Sequence, residues 1–515
     1  MEEMVQSVDP RTAEAGPTYS ATSPAEVRTA VAAAAEAFRS PAWRDDARRV
    51  AFLRRAAAAL RDADADIVAR AESETGLPEG RLVGELERTC RQLEAFADLV
   101  EAGDYVEAMI DPADPDAKPI PRPDVRRMLI PIGPVAVFGA SNFPLAFGVA
   151  GGDTASAIAA GCPVVAKGHP SHPGTSEAVA AALRRARSEA GLPAGAFALV
   201  QGAANEVGEA LVDAPEIAAA GFTGSLAAGR ALYERAARRP EPIPVYAEMG
   251  SVNPVVVTPG ALAERADDIA ELLAGSVSFA AGQLCTKPGV VLVPEGDAGE
   301  GFADALVRRL DDAGPQVMLN ERLRASLVAR IADVAGDASV QHVGPPGGPV
   351  EPGLRFAPLA LRVPAAAARD SRTLLDECFG PVVLLVTYGS ADELLETVGV
   401  LDGQLTATIH AGPGEHDLVA TLTESLRERV GRLLFGGVPT GVAVTHAMQH
   451  GGPYPATTAP GHTSVGMTAV GRFLRPIALQ NAPADVLPPA LRDRNELGIW
   501  RRVDGRLTRD DVARG

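Results

Sequence analysis

The chain is short of several things. It has four cysteines in 515 residues, Cys90, Cys162, Cys285 and Cys378, and no CxxC pair. Spacing this wide indicates neither a zinc site nor a disulfide framework, so no metal is expected. Positive charge is in the minority. Lys and Arg number 48 against 66 Asp and Glu, a formal net charge of −18, spread along the chain with no acidic tail. That balance argues against nucleic acid or an anionic membrane surface as a partner. No stretch reaches the length of a membrane span without polar residues, Gly or Pro, and Met1-Glu2-Glu3-Met4-Val5 has neither a basic start nor an apolar run. The expected setting is the cytoplasm, where reducing conditions keep thiols free. A GxGxxG behind a strand is missing too, so the standard dinucleotide fingerprint is absent.

What is present is ordinary for a large folded chain: 46% hydrophobic and 22% charged residues, with length for two or three domains. Residues 1–22 are polar and turn-rich. Ser23-Pro24-Ala25-Glu26 starts a helix, with Ser as cap, Pro in the first turn and Glu three positions on. Helical patterns continue over 46–63, 64–75 and 80–102. Residues 111–124, rich in Pro and Asp, read as a linker or extended arm, which 126–130 extends as a strand. From Pro134 short apolar strands recur near 134–139, 163–167, 197–200, 217–222 and 243–247. Helical stretches lie between most of them, at 146–160, 174–190, 205–212 and 226–237. This alternation predicts βαβ units and a mostly parallel sheet. Ligands bind such sheets at the carboxyl ends of strands, where Lys167, Thr223-Gly224-Ser225 and Glu248 fall. A second alternation runs from 253 to about 445, with strands at 255–257, 290–293, 382–386 and 407–410. Residues 476–515 return to polar, extended sequence with an Asp504-Gly505 turn signal.

Five stretches carry candidate chemistry. Gly282-Gln283-Leu284-Cys285-Thr286 links an apolar helical run to a strand-like run, and Gly282 suits a helix end. A thiol on such a link can face a cleft and act as a nucleophile, although a lone cysteine also suits a small core position. Asn142, behind the first strand of the sheet, is either an oxyanion donor or a turn asparagine. Gly224 and Ser225 open a helix, as a phosphate site or as a plain strand-to-helix turn. Glu248, between an apolar strand and Gly250, is placed to activate a water. Glu377 can hold sugar hydroxyls, and Phe379 either packs on a flat ring or fills the core.

Five pieces in order resemble the aldehyde dehydrogenase superfamily over nearly the whole chain. They are Ser141-Asn142-Phe143-Pro144, Gly221-Phe222-Thr223-Gly224-Ser225, Glu248-Met249-Gly250-Ser251-Val252-Asn253-Pro254, the Cys285 pentapeptide and Glu377-Cys378-Phe379-Gly380-Pro381-Val382. The resemblance implies an α/β fold with a Rossmann-like cofactor domain (1–116 and 132–252) and an α/β catalytic domain (253–450). It also implies a strand arm for oligomerisation with a C-terminal extension (117–131 and 476–515). It implies Cys285 as nucleophile, Glu248 as general base and Asn142 as oxyanion donor. Cofactor contacts fall on Lys167, Gly224, Ser225, Glu377 and Phe379, and a homodimer or homotetramer is expected. Two departures stand out: Ser141 replaces a tryptophan common before the asparagine, and Glu-Met-Gly-Ser replaces Glu-Leu-Gly-Gly. Neither removes a group the chemistry needs.

The stretch from Phe435 to Thr457, with His446 and His450, resembles the α-ketoglutaric semialdehyde dehydrogenase subgroup, which implies 2,5-dioxopentanoate as the aldehyde substrate. A loop with two histidines can line a substrate mouth, or be a rigid surface loop. Where NAD-selective relatives carry a glutamate three residues past the lysine, this chain has Pro170, and residues 168–173 hold no carboxylate. NADP is therefore expected to be preferred over NAD or at least well used, with Lys167 and Ser171 or a histidine facing the extra phosphate; the alternative is that Lys167 contacts only ribose hydroxyls and both cofactors are accepted. Three rivals remain open: a fatty or broad-range aldehyde dehydrogenase, a coenzyme A-acylating relative, and a non-catalytic binding protein on the same fold.

Overall fold

The computed structural model describes residues 3–513. Residues 1 and 2 of the expected cofactor domain, and 514 and 515 of the expected C-terminal extension, lie outside the described residues. Among the described residues no helix is long and apolar enough to cross a membrane.

Two parallel sheets organise the chain. The first has five strands in the spatial order Phe197–Val200, Val164–Lys167, Val135–Phe138, Ala219–Thr223 and Val245–Glu248, all parallel. The chain enters at Val135–Phe138, builds to one side, then returns to build the other. The carboxyl ends of Val135–Phe138 and Ala219–Thr223 therefore flank a topological switch point, the crevice where such sheets bind ligands. Helices Pro24–Arg39, Asp46–Asp62, Asp64–Thr75 and Glu79–Ala102 fill the N-terminal region. The first begins with the expected capping box, Ser23 with Glu26. Trp43, Phe52, Leu60 and Phe96 from this block pack against the sheet in one buried core.

The second sheet has seven strands. Six are parallel, in the order Leu359–Pro364, Val382–Tyr388, Val290–Pro294, Val255–Val257, Gln404–His410 and Val430–Phe435, and Gln341–Val343 is antiparallel at one edge. The central strands are buried along their length, as continuous Val and Leu runs require in a sheet covered on both faces. A third sheet brings distant segments together: Leu474–Gln480, Val125–Pro131, Met109–Asp111, Arg501–Val503 and Arg506–Thr508. Its final hairpin turns at Asp504 and Gly505, with φ of 47° and 75°, as the Asp-Gly signal predicts.

Several expectations need correction. Residues 1–22 are not merely turn-rich: Met4–Asp9 and Glu14–Ser20 pair as an antiparallel hairpin. The helix expected over 146–160 begins at Gly152, because 144–151 wrap in turns around a close backbone contact. A Cβ on Gly148 would lie 2.0 Å from the carbonyl oxygen of Pro144. The strands Leu359–Pro364 and Val430–Phe435 were not foreseen.

Candidate active site

Cys285 sits on a backbone held in an uncommon shape. Helix Pro259–Ser278 hands over to a tight turn in which Ala280, Ala281 and Gly282 have φ of 53°, 56° and 62°. Left-handed backbone costs an alanine roughly 1–2 kcal/mol, so the surroundings must impose it. Gly282 has a second reason to be glycine, since a Cβ there would lie 2.2 Å from the carbonyl oxygen of Gly380. The amide of Asn253 donates to the carbonyls of Cys285 (2.9 Å) and Lys287 (3.0 Å). Asn253 is itself fixed at φ 48° by the Ser251 and Thr406 hydroxyls. The buried Lys287 amine donates to the carbonyls of Cys378 (2.9 Å) and Val382 (2.8 Å). The Cys285 loop is thus pinned to the exit of the first sheet and to the Glu377 segment at once.

Three reactive groups meet behind this loop. Glu248 ends the edge strand Val245–Glu248 and is buried. Its Oε1 lies 3.0 Å from His450 Nε2, and the same ring nitrogen is 3.5 Å from Cys285 Sγ. The Ser464 hydroxyl donates to Glu248 Oε2. Oε1 accepts no well-aligned hydrogen bond among the described residues, although both His450 and the Cys285 thiol act on the carboxylate. His450 Nδ1 is buried without a partner among the described residues, which favours the tautomer carrying its hydrogen on Nε2. Burial pushes the Cys285 thiol well up, and the Glu248 charge adds to it, while Arg88 pulls the other way. Burial opposes ionisation of Glu248 as well, but His450 and the hydroxyl of Ser464 outweigh it and hold the carboxyl below its usual range. The resting pair is therefore a thiol beside a carboxylate.

Asn142 lies one turn beyond strand Val135–Phe138, and its Nδ2 donates to the carbonyl of Gln283 at 2.9 Å. One amide hydrogen is thereby used to fix the side chain beside the Cys285 loop. In front of Cys285 lies a cavity of about 210 Å³ that includes Arg81, Arg88, Phe143, Phe147 and Phe279 in its wall.

The expected cofactor residues line the same carboxyl edge. Lys167 ends Val164–Lys167, and its amine donates to Gly202 O at 3.0 Å. Burial draws its pKa down to about 8. Ser225 caps helix Leu226–Ala237 with its hydroxyl accepting from the Ala228 N–H, the Gly224 N–H donates to Glu248 O at 3.0 Å, and residues 224–227 are exposed, so the start of that helix opens to solvent. A Cβ on Gly224 would lie 2.6 Å from the Phe222 ring. Glu377 comes from the second sheet to lie over Gly250, where a Cβ would lie 2.6 Å from its Oε2. Burial raises Glu377 to about 7, with Lys287 opposing. Phe379 is half-buried on the same segment.

The two histidines of the 446–450 loop part company: His446 is exposed, while His450 is in the centre of the cluster. Ser464 and Asn253 were given no part in advance. Asn253 had a visible position inside a quoted motif, whereas Ser464 fell in a stretch, 458–475, left without a role. Glu248, Cys285 and His450 present ligand atoms that all lie within 4.8 Å of one another. A thiophilic cation would fit that donor set, but it would occupy the thiolate and block its chemistry.

Residues 1–422 match the model of the aldehyde dehydrogenase family. The α-ketoglutaric semialdehyde dehydrogenase 2 of Azospirillum brasilense is 44% identical over 493 residues, 95% of this chain and 93% of that protein. The α-ketoglutaric semialdehyde dehydrogenase of Acinetobacter baylyi is 42% identical, over 94% and 92%. Among solved structures, a Thermus 1-pyrroline-5-carboxylate dehydrogenase with bound NAD superposes with a TM-score of 0.77 at 25% identity, covering 93% of this chain and 90% of that one.

Proposed function

The chain belongs to the aldehyde dehydrogenase family, and from that premise we propose that it oxidises 2,5-dioxopentanoate to 2-oxoglutarate with Cys285 as nucleophile, Glu248 as base and Asn142 as oxyanion donor. One observation carries the catalytic reading: a thiol, an imidazole N–H and a carboxylate oxygen without an aligned donor converge in one buried cluster. The substrate rests on the two relatives that bear its name and on the cavity in front of Cys285.

Cys285 sulfur attacks the aldehyde carbon as its proton passes to Glu248. The free Nδ2 hydrogen of Asn142 and the Cys285 backbone N–H stabilise the oxyanion. Glu248 then loses that proton to solvent and is again a base. When bound, the nicotinamide supplies the hydride acceptor that turns the Cys285 adduct into a thioester. Glu248 Oε1 takes a proton from a water that attacks the thioester, and the acid departs as Cys285 sulfur is released. The Glu248 carboxylate favours water over coenzyme A as acyl acceptor. Comparison of kcat/KM for 2,5-dioxopentanoate with that for decanal tests the substrate. Higher efficiency on the long-chain aldehyde overturns it in favour of a fatty-aldehyde enzyme.

The cofactor is a pyridine nucleotide. The groups present suit one: the exposed start of helix Leu226–Ala237 behind Gly224 and Ser225 for phosphate, Glu377 for ribose hydroxyls, Lys167 and the Phe379 ring. We extend the proposal to NADP⁺ over NAD⁺. Part of the expected donor set is engaged elsewhere: His172 Nε2 lies 2.9 Å from Ala140 O, and His169 Nδ1 accepts from the Ser171 N–H at 3.1 Å. Asn320 donates to Ser171 Oγ at 2.8 Å, which leaves the Ser171 hydroxyl hydrogen free. The extra phosphate then rests on Lys167 and Ser171, with no carboxylate at Pro170 to repel it. Pro170→Glu is expected to lower kcat/KM for NADP⁺ by about tenfold or more while sparing NAD⁺. A wild type that strongly prefers NAD⁺ refutes the preference.

The domain bounds of the sequence reading, and pairing of subunits through the arm into a homodimer or homotetramer, belong to the same proposal. The edge strand Leu474–Gln480 supports the pairing, since the third sheet ends there. Four free cysteines suit a reducing cytoplasm.

A further inference from the structure

Helix Glu79–Ala102 turns an unusual face to the cavity: Arg81, Gly84, Glu85 and Arg88, at helical spacing. The two guanidinium groups share one carboxylate. Glu85 Oε1 accepts from the N–H groups of Leu145 (2.9 Å) and Ala146 (3.0 Å), and its Oε2 stands 3.9 Å from Arg81. Arg81 is one-tenth exposed, and its Nη2 donates to the Asn142 carbonyl at 2.8 Å, but its Nη1 is buried with no partner among the described residues. The same holds for Nε and Nη2 of Arg88. Aromatic faces back both, with Arg81 4.9 Å from the Phe143 ring centre and Arg88 5.7 Å from that of Phe147. Gly84 costs the helix stability relative to alanine. It has no packing reason to be glycine, because nothing lies within 4 Å of a Cβ placed there. It leaves open space between the arginines.

A chain of net charge −18 thus keeps an excess positive charge, with unused buried donors, in the cavity that contains its nucleophile. Unpaired buried charge is expensive unless a ligand completes it. We propose that Arg81 and Arg88, across Gly84, form a carboxylate-binding subsite that selects aldehydes carrying a carboxylate at the far end from the reacting carbonyl. Arg88 is the specificity-determining residue. Arg81 shares its charge between the substrate and the placement of Asn142. The inference rests on the dehydrogenase reading of Cys285, and it reaches beyond one substrate to the class of ω-oxo acids.

The test compares kcat/KM for 5-oxopentanoate and for pentanal, equal in length and different in charge. Arg88→Met is expected to lower the ratio of the oxo-acid value to the pentanal value about 30-fold or more, a ratio in which any effect on the thiol common to both cancels. Arg88→Lys is expected to recover part of the loss, since it restores charge without the fork. Equal losses on both aldehydes, or no loss on either, overturn the subsite. A second measurement needs neither turnover nor that variant. Glutarate is expected to protect wild-type Cys285 from iodoacetamide, while the neutral glutaramide does not. Gly84→Leu, which fills the open space without removing a charge, is expected to abolish the protection. Equal protection by both compounds, or protection that survives Gly84→Leu, overturns the proposal. If glutarate protects but neither aldehyde is oxidised by wild type, the dehydrogenase reading has failed and the subsite stands.

Discussion

Cys285→Ala is expected to lower turnover by about 10⁴-fold or more while leaving cofactor affinity within about threefold of wild type. The size of the loss follows from the absence of a substitute. Cys90 and Cys162 are buried, with thiols that burial pushes up to about 11 and that donate to the carbonyls of Ala57 and Phe473. Cys378 points its chemistry elsewhere: its carbonyl receives Lys287, and burial raises its thiol too. The survival of the fold follows from how the loop is held. Asn253 and the Gly282–Gly380 contact grip backbone atoms, which alanine retains. Lys167 and Ser225 bond elsewhere, and Glu377 acts on the Cys285 side chain only through its charge. Nucleotide titration and steady-state rates on the purified variant check both halves. Turnover above about one hundredth of wild type would remove Cys285 from the nucleophile role.

The sheet strands and the residues at their ends were legible because both obey local rules. Val135–Phe138 and Val164–Lys167 are short apolar runs bounded by Pro and Gly, and a parallel sheet places its ligands at strand ends whatever the sequence between. What local pattern cannot show is who meets whom. His450 touches Cys285 across 165 residues of chain, and nothing in the 446–450 stretch distinguishes it from His446, which is exposed. Edge strands were missed for a related reason. Val430–Phe435 is half-buried along most of its length, so it shows no clean two-residue alternation. The left-handed turn before Cys285 was invisible because two of its three residues are alanines, held there by tertiary contacts against their own preference. Arg81, Glu85 and Arg88 lie in a stretch read only as helical, 80–102, and were given no role. Only the packing of Phe143, Phe147 and Phe279 around them shows that the face is turned inward.

Glu248→Gln is expected to give one burst of reduced cofactor per active site and then to stall, with the steady rate lowered by about 100-fold or more. The amide keeps the shape of the side chain but has no basic oxygen to take a proton from the water that cleaves the thioester. The first half-reaction survives for an electrostatic reason. After burial itself, the Glu248 charge is the main influence that raises the Cys285 thiol. Removing that charge lowers the thiol pKa, so thiolate forms by simple ionisation at a lower pH, with the His450 Nε2–H still 3.5 Å away to stabilise it. The sign is therefore opposite for the two steps: the variant ionises its nucleophile more readily and releases its product more slowly. Two measurements on one protein separate them. The pH midpoint of Cys285 alkylation by iodoacetamide is expected to move down in Glu248→Gln, and rapid-mixing absorbance is expected to show the burst. A midpoint that moves up, or steady turnover at the wild-type rate, would mean that Glu248 neither faces the thiol nor serves the hydrolysis, and the cluster would need another base.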